Sequence, residues 1–124
     1  MQKSYIQIST DGMIEVKTFD TSEDINDVIH AALSSYYEIV RCRSLSHKFL
    51  MLVDDCGLLK DLPINAVASE LYGIRFHGCP ICGPAVIMRE DFVDGEPDIV
   101  GLDPDDVAEF IHKLRGLIVL QEVE

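Results

Sequence analysis

Cys79 and Cys82, in the run His77-Gly78-Cys79-Pro80-Ile81-Cys82, are the residues best placed to do chemistry. Two thiolates separated by two residues can grip one zinc ion, because the turn between them aims both sulfurs inward, and His77 lies just upstream as a third ligand. A closed structural site needs a fourth donor. Cys42, Cys56 and His47 are the candidates, but no second paired knuckle brings any of them to the same point. Thiol-disulfide chemistry would need the first cysteine at a helix N-terminus, where the dipole lowers its pKa. Gly83-Pro84 and an apolar run follow instead, which favours two ordinary thiols in a loop and strand entrance over either chemistry. A small zinc-stabilised or thiol-containing binding domain is the alternative reading.

The other constellations are weaker. Glu109 and His112 have the spacing of one Glu-x-x-His unit of a di-iron bundle, but such a site needs two units and two further glutamates. Asp54 and Asp55 suit a turn's own backbone better than a carboxylate pair for acid-base work. His30 and His47 have no nucleophile pattern around them, and no glycine-rich loop could cradle phosphate. Cys42 and Cys56, in or beside apolar strands, read as small packed hydrophobes. The expectation is a protein that is not an enzyme and needs no cofactor.

Charge is the strongest global feature. The 124 residues carry a net charge of -12. From Glu90 to Glu109 the acids Glu90, Asp91, Asp94, Glu96, Asp98, Asp103, Asp105, Asp106 and Glu109 occur with no Lys or Arg between them. Direct nucleic-acid binding is disfavoured, because phosphates would be repelled. An acidic segment is commonly a solvated face that aids solubility, and the sharper reading is a surface that attracts a basic protein partner. No apolar stretch is long enough to span a bilayer, and Met1-Gln2-Lys3-Ser4 lacks a signal peptide's apolar segment. A cytoplasmic protein with reduced thiols is expected.

The elements that must position these residues fit one domain, residues 1–124, with 48% hydrophobic residues to build a core. Tyr5 to Ser9 and Ile14 to Thr18 alternate around Asp11-Gly12, a hairpin signal. Thr21 or Ser22 is expected to cap a helix whose stripe is Ile25, Val28, Ile29, Ala32 and Leu33. Tyr37 to Cys42 resumes β character. Phe49 to Val53 is an apolar run suited to a central strand buried on both faces and paired antiparallel with its predecessor. Asn65 caps a short helix that Gly73 stops. A loop over residues 74–83 leads to a strand from Pro84 to Met88. Residues 90–100 read as an exposed, mobile connection. Asp103-Pro104-Asp105-Asp106 opens an amphipathic C-terminal helix, with Gly116 as its stop and Leu117 to Leu120 as an edge strand or packing tail. An apolar edge there would favour a homodimer. The fold class is α+β, a mainly antiparallel sheet with a β-grasp-like ββαββ start, a short central helix and a C-terminal helix.

The run Asp55-Cys56-Gly57-Leu58-Leu59-Lys60-Asp61-Leu62-Pro63-Ile64-Asn65, with Ala68-Ser69 and Leu71-Tyr72-Gly73, resembles the central motif of a family of small proteins of unknown function. Those proteins recur in phages, plasmids and integrative elements. The family pattern is an acidic turn, Gly-x-Leu-Lys-x-Leu-Pro-x-Asn, a short helix and a strand carrying Gly-x-Ala, matched here by Gly83-Pro84-Ala85. The resemblance covers most of the chain and implies an architecture and a genomic setting, with Gly57, Lys60, Pro63 and Asn65 as scaffold residues. It implies no activity, and Cys79 and Cys82 are not part of its pattern. A cap alone would tolerate Ser or Asp at position 65, so Asn65 is expected to bond elsewhere as well, across to the turn at Gly57. The function expected from charge and resemblance together is an accessory protein that binds or inhibits a basic, nucleic-acid-handling protein. Its acidic face would consist of Glu90, Asp91, Asp94, Glu96, Asp98, Asp105, Asp106 and Glu109.

Overall fold

The computed structural model describes residues 1–73 and 78–123, with side chains described as far as Gly116. Strands β1 (Gln2–Ile8) and β2 (Ile14–Asp20) form the first hairpin. Helix α1 (Ile25–Leu33) crosses to β3 (Tyr37–Val40), which pairs antiparallel with β4 (Phe49–Asp54). The short helix α2 (Ala66–Tyr72) leads into β5 (Ala85–Val93), β6 (Glu96–Val100) and helix α3 (Pro104–Val123). The sheet runs β2-β1-β5-β4-β3, with β6 on the far half of β5, and every pairing is antiparallel. This is the expected α+β fold, with the ββαββ start, the short central helix and the C-terminal helix in place.

Alternation along the inner strands builds two cores. Ile6, Ile8, Met51, Val53, Ala85 and Ile87 point to one face, where Ala68 and Leu71 of α2 and Phe110 and Leu114 of α3 cover them. Leu52, Val86 and Met88 point to the other, where Ile29 and Leu33 of α1 pack with Phe19. All six residues of β4 are buried, because β5 and β3 flank the strand and helices cover both its faces. Each large aliphatic side chain enclosed this way contributes about 1.5 to 3 kcal/mol.

Four local expectations are corrected. Asp24, not Thr21 or Ser22, caps α1, accepting from the amides of Asn26 at 2.8 Å and Asp27 at 3.4 Å. The residues before it are used up by their own turn, in which Ser22 donates to Asp20 and Asp20 to Glu23, each at 2.9 Å. Residues 90–100 are not a loose connection. They form a hairpin closed by Asp94 and Gly95 with φ of 52° and 80°, the positive pair a tight primed turn demands. Pro97 is tolerated because β6 lies at the sheet margin.

Gly116 does not stop α3, which continues to Val123. It lacks the left-handed φ of a helix stop, and one glycine costs a helix only about 1 kcal/mol relative to alanine. Leu117 to Leu120 are therefore helical, and the strand-edge ground for a homodimer disappears. No helix among the described residues is long and apolar enough to cross a membrane.

Candidate functional site: a thiol-lined recess and an acidic ribbon

The motif between β4 and α2 is a clasp. Asp54, at the end of β4, accepts from the Cys56 amide at 2.7 Å and from Lys60 Nζ at 2.9 and 3.2 Å. Burial pushes the Asp54 carboxyl up, but the Lys60 ammonium and the Cys56 amide outweigh it and hold the group below the usual carboxylate range. Gly57 lies against the loop that carries the cysteine pair, and a Cβ there would stand 2.4 Å from the carbonyl oxygen of Cys82. The Pro63 carbonyl accepts from Gly83 N at 2.8 Å, and Asn65 N donates to the Ile81 carbonyl at 2.8 Å. Ser69 Oγ accepts from Ile81 N at 2.9 Å.

Asn65 is fully buried. Its Oδ1 caps α2 by accepting from Ala68 N at 3.0 Å, and its Nδ2 donates to the carbonyls of Ile8 at 2.9 Å and Gly83 at 3.0 Å. The expected second role is present, but its partners are β1 and the cysteine loop rather than the Gly57 turn. One side chain thus ties together a helix start, a strand end and a loop.

This clasp sets Cys56 at the same recess as the Cys79 and Cys82 pair, from which sequence spacing left it apart. Cys56, Cys79 and Cys82 line one recess of about 180 Å³, with Glu38, Asp54 and Asp55 at its wall. All four cysteines are free thiols. Asp55, hydrogen-bonded to the Cys56 thiol, pushes its pKa up, which disfavours a nucleophilic thiolate. Cys42 packs in the core, where burial pushes it up to about 12. Among the described residues no three His, Cys, Asp or Glu side chains converge tightly enough to hold a metal. His77 lies outside the described residues.

The acids separate into two groups. Both carboxylate oxygens of Glu90 accept from Arg41 Nη2 at 2.9 Å, and Asp91 pairs with Arg89 at 3.2 Å. Asp106 is only 3% exposed and sits at the start of α3, where it accepts from the Asp103 amide at 3.0 Å, Lys48 at 2.9 Å and Arg89 at 3.1 Å. Burial raises its pKa, but that amide and the two cations prevail and hold it below the usual range. Glu109 pairs with Lys48 at 2.8 Å, and Asp103 with Lys3. The Glu109 and Asp106 carboxylates in turn push Lys48 up. Apart from Asp91 with Arg89, these ion pairs cross between elements distant in sequence, so no local pattern announces them.

Asp94, Glu96, Asp98 and Asp105 are exposed and carry no ion pair among the described residues. The first three lie on the β5–β6 hairpin, whose residues 91–98 are all exposed. Register gives this ribbon two unlike faces. Asp91, Val93, Glu96 and Asp98 share one, and Phe92 and Pro97 sit opposite each other on the second, with Phe92 67% exposed.

The fold and these sites define a small antiparallel α+β domain with a clasped cysteine loop and a projecting acidic ribbon. The chain belongs to the family described as a domain of unknown function, DUF3846, which matches residues 3–115. No curated protein shows a significant match. A solved structure titled "Crystal structure of small RNA methyltransferase HEN1" is similar with a TM-score of 0.57 and 14% identity, covering 86% of this chain. The chain spans 15% of that protein's length. A likeness at this identity shows the fold alone.

Proposed function

We propose that this protein is a non-enzymatic interaction protein, an accessory of a phage or mobile element, that docks through its β5–β6 ribbon on a basic surface of a nucleic-acid-handling protein. The observation that carries the reading is the ribbon itself. Asp94, Glu96 and Asp98 are the acids of this hairpin left without cations, and the opposite face of the same ribbon exposes Phe92, a large aromatic. Unneutralised charge gives fast, salt-sensitive encounter, and an exposed aromatic gives the desolvated anchor that charge alone lacks. Glu90, Asp106 and Glu109 drop out of the docking face, since Arg41, Lys48 and Arg89 already hold them.

The test is capture from a host-cell lysate at low and high salt, using the wild-type chain and an Asp94→Asn/Glu96→Gln/Asp98→Asn variant. Capture of one basic protein that weakens in high salt and in the variant is the expected result. Capture that is absent, or that ignores both salt and the variant, would sink the reading.

A further inference from the structure

Strand β2 ends the sheet order, so one side of its backbone meets no other strand among the described residues. Which groups face that side follows from the ladder with β1. At one end of the hairpin Ser9 N donates to the Met13 carbonyl, and at the other Thr21 N donates to the Met1 carbonyl, each at 2.9 Å. Bonded and unbonded positions alternate along an antiparallel pair. Both ends therefore assign the bonds toward β1 to Glu15, Lys17 and Phe19. Ser4, opposite Thr18, agrees, since its amide and carbonyl bond Leu102 on the other side of β1, at 3.0 and 2.7 Å.

The N–H and C=O of Ile14, Val16 and Thr18 thus point away from the sheet. Asp20, next in that series, is closed off locally. Its amide donates to Glu23 Oε2 and its carbonyl accepts from the Glu23 amide, each at 2.9 Å. The open edge is the run Ile14-Glu15-Val16-Lys17-Thr18, with no Pro or Gly to bar a further strand.

The charges on this edge select one occupant. When a second β2 pairs antiparallel with the first, outward-bonding positions can face only outward-bonding positions, which leaves few registers. Centring on Glu15 or on Lys17 sets two like charges face to face, and centring on Ile14 or Thr18 leaves much of the edge without a partner. Centring on Val16 overlaps the whole run. Val16 then exchanges backbone bonds with its own copy, and Ile14 with the copy's Thr18. Glu15 and Lys17 face each other on both sides of the axis, at the unbonded positions where facing side chains approach most closely. Neither has an ion pair within its own chain among the described residues. Val16, 49% exposed, would be covered by its own copy.

We propose that two copies of this chain join edge to edge through β2, antiparallel about Val16, extending the sheet across a twofold axis. So short an edge makes a small interface, and the dimer is a reversible one that forms at high concentration. It shares no residue with the β5–β6 ribbon, so the two readings stand or fall independently.

The test is sedimentation equilibrium of the whole chain from about 10 μM to 1 mM, with amide hydrogen exchange at both ends of that range. The mass should rise toward that of a dimer. The amides of Ile14, Val16 and Thr18 should gain protection with concentration, while those of Glu15 and Lys17, bonded to β1, should be protected throughout. This pattern reads the register without any substitution. Lys17→Glu and Glu15→Lys should each weaken association at least roughly tenfold, because each sets like charges opposite on both sides of the axis. The double swap Glu15→Lys/Lys17→Glu keeps the wild-type net charge and should restore association, and the two single variants mixed together should pair with each other. Melts at the dilute end, where chains are separate, should show every variant folded. The proposal is overturned by a chain that stays monomeric throughout, or by protection that does not rise at Val16. An association that both single changes leave intact, or that the double swap does not restore, overturns it equally.

Discussion

The side-chain amide of Asn65 donates to the backbone carbonyl of Ile8 at 2.9 Å, across 57 residues of sequence. Because the same side chain caps α2 and also donates to Gly83, its two ends have unlike tasks that only an amide performs together. Asn65→Asp keeps the cap acceptor and removes both donated bonds, placing a buried carboxylate against two carbonyl oxygens. The expected loss is roughly 3 kcal/mol or more by chemical denaturation, larger than the ~1 kcal/mol of a lost helix cap. An Asp variant within 1 kcal/mol of wild type would reduce Asn65 to a cap.

This residue also marks where sequence stops being informative. Local features were legible: the apolar run at Phe49, the Asn65 cap and the Gly73 stop each depend on neighbours within a few positions. The β5–β6 hairpin was not, because both its faces are exposed and its strands lack the alternation that burial imposes. The ion pairs from Lys48 and Arg89 to Asp106, and the gathering of Cys56 with Cys79 and Cys82, depend on strand order, which local pattern does not encode.

Two glycines should respond in opposite directions to the same substitution. Gly57→Ala forces a methyl group to 2.4 Å from the Cys82 backbone oxygen, which cannot swing aside as a side chain could. A loss of roughly 2 to 4 kcal/mol is expected. Gly116→Ala meets nothing within 4 Å and lies inside α3, so it should stabilise by about 1 kcal/mol. Paired urea melts check both, and a destabilised Gly116→Ala would argue that α3 ends there.

Acid should weaken the fold through Asp54 and Asp106. Both are held below their ordinary pKa, while in the unfolded chain an aspartate titrates near 3.9. A carboxyl with a depressed folded pKa binds protons more tightly when unfolded. Its stabilisation is therefore whole above about pH 5, and is lost as pH falls through the folded value. Melting temperature should decline steeply from about pH 4 downward, and Asp54→Asn should flatten part of that slope. An identical slope in the variant would remove Asp54 from the account.

Neutralising the ribbon should leave the fold intact, which is what separates a docking surface from a structural one. Asp91 and Asp98 face each other across the hairpin, and like charges in that position repel. Asp98→Asn should thus be neutral or stabilising by a few tenths of a kcal/mol, and Asp94→Asn and Glu96→Gln should fall within about 0.5 kcal/mol of wild type. Glu90→Gln is the contrast, because it strips Arg41 of its carboxylate partner at 2.9 Å and should cost up to about 1 kcal/mol. The comparison by thermal melting at low and high salt is decisive. If the ribbon changes cost more than Glu90→Gln, these acids maintain the fold and any loss of partner capture in their variants would report unfolding rather than a broken interface.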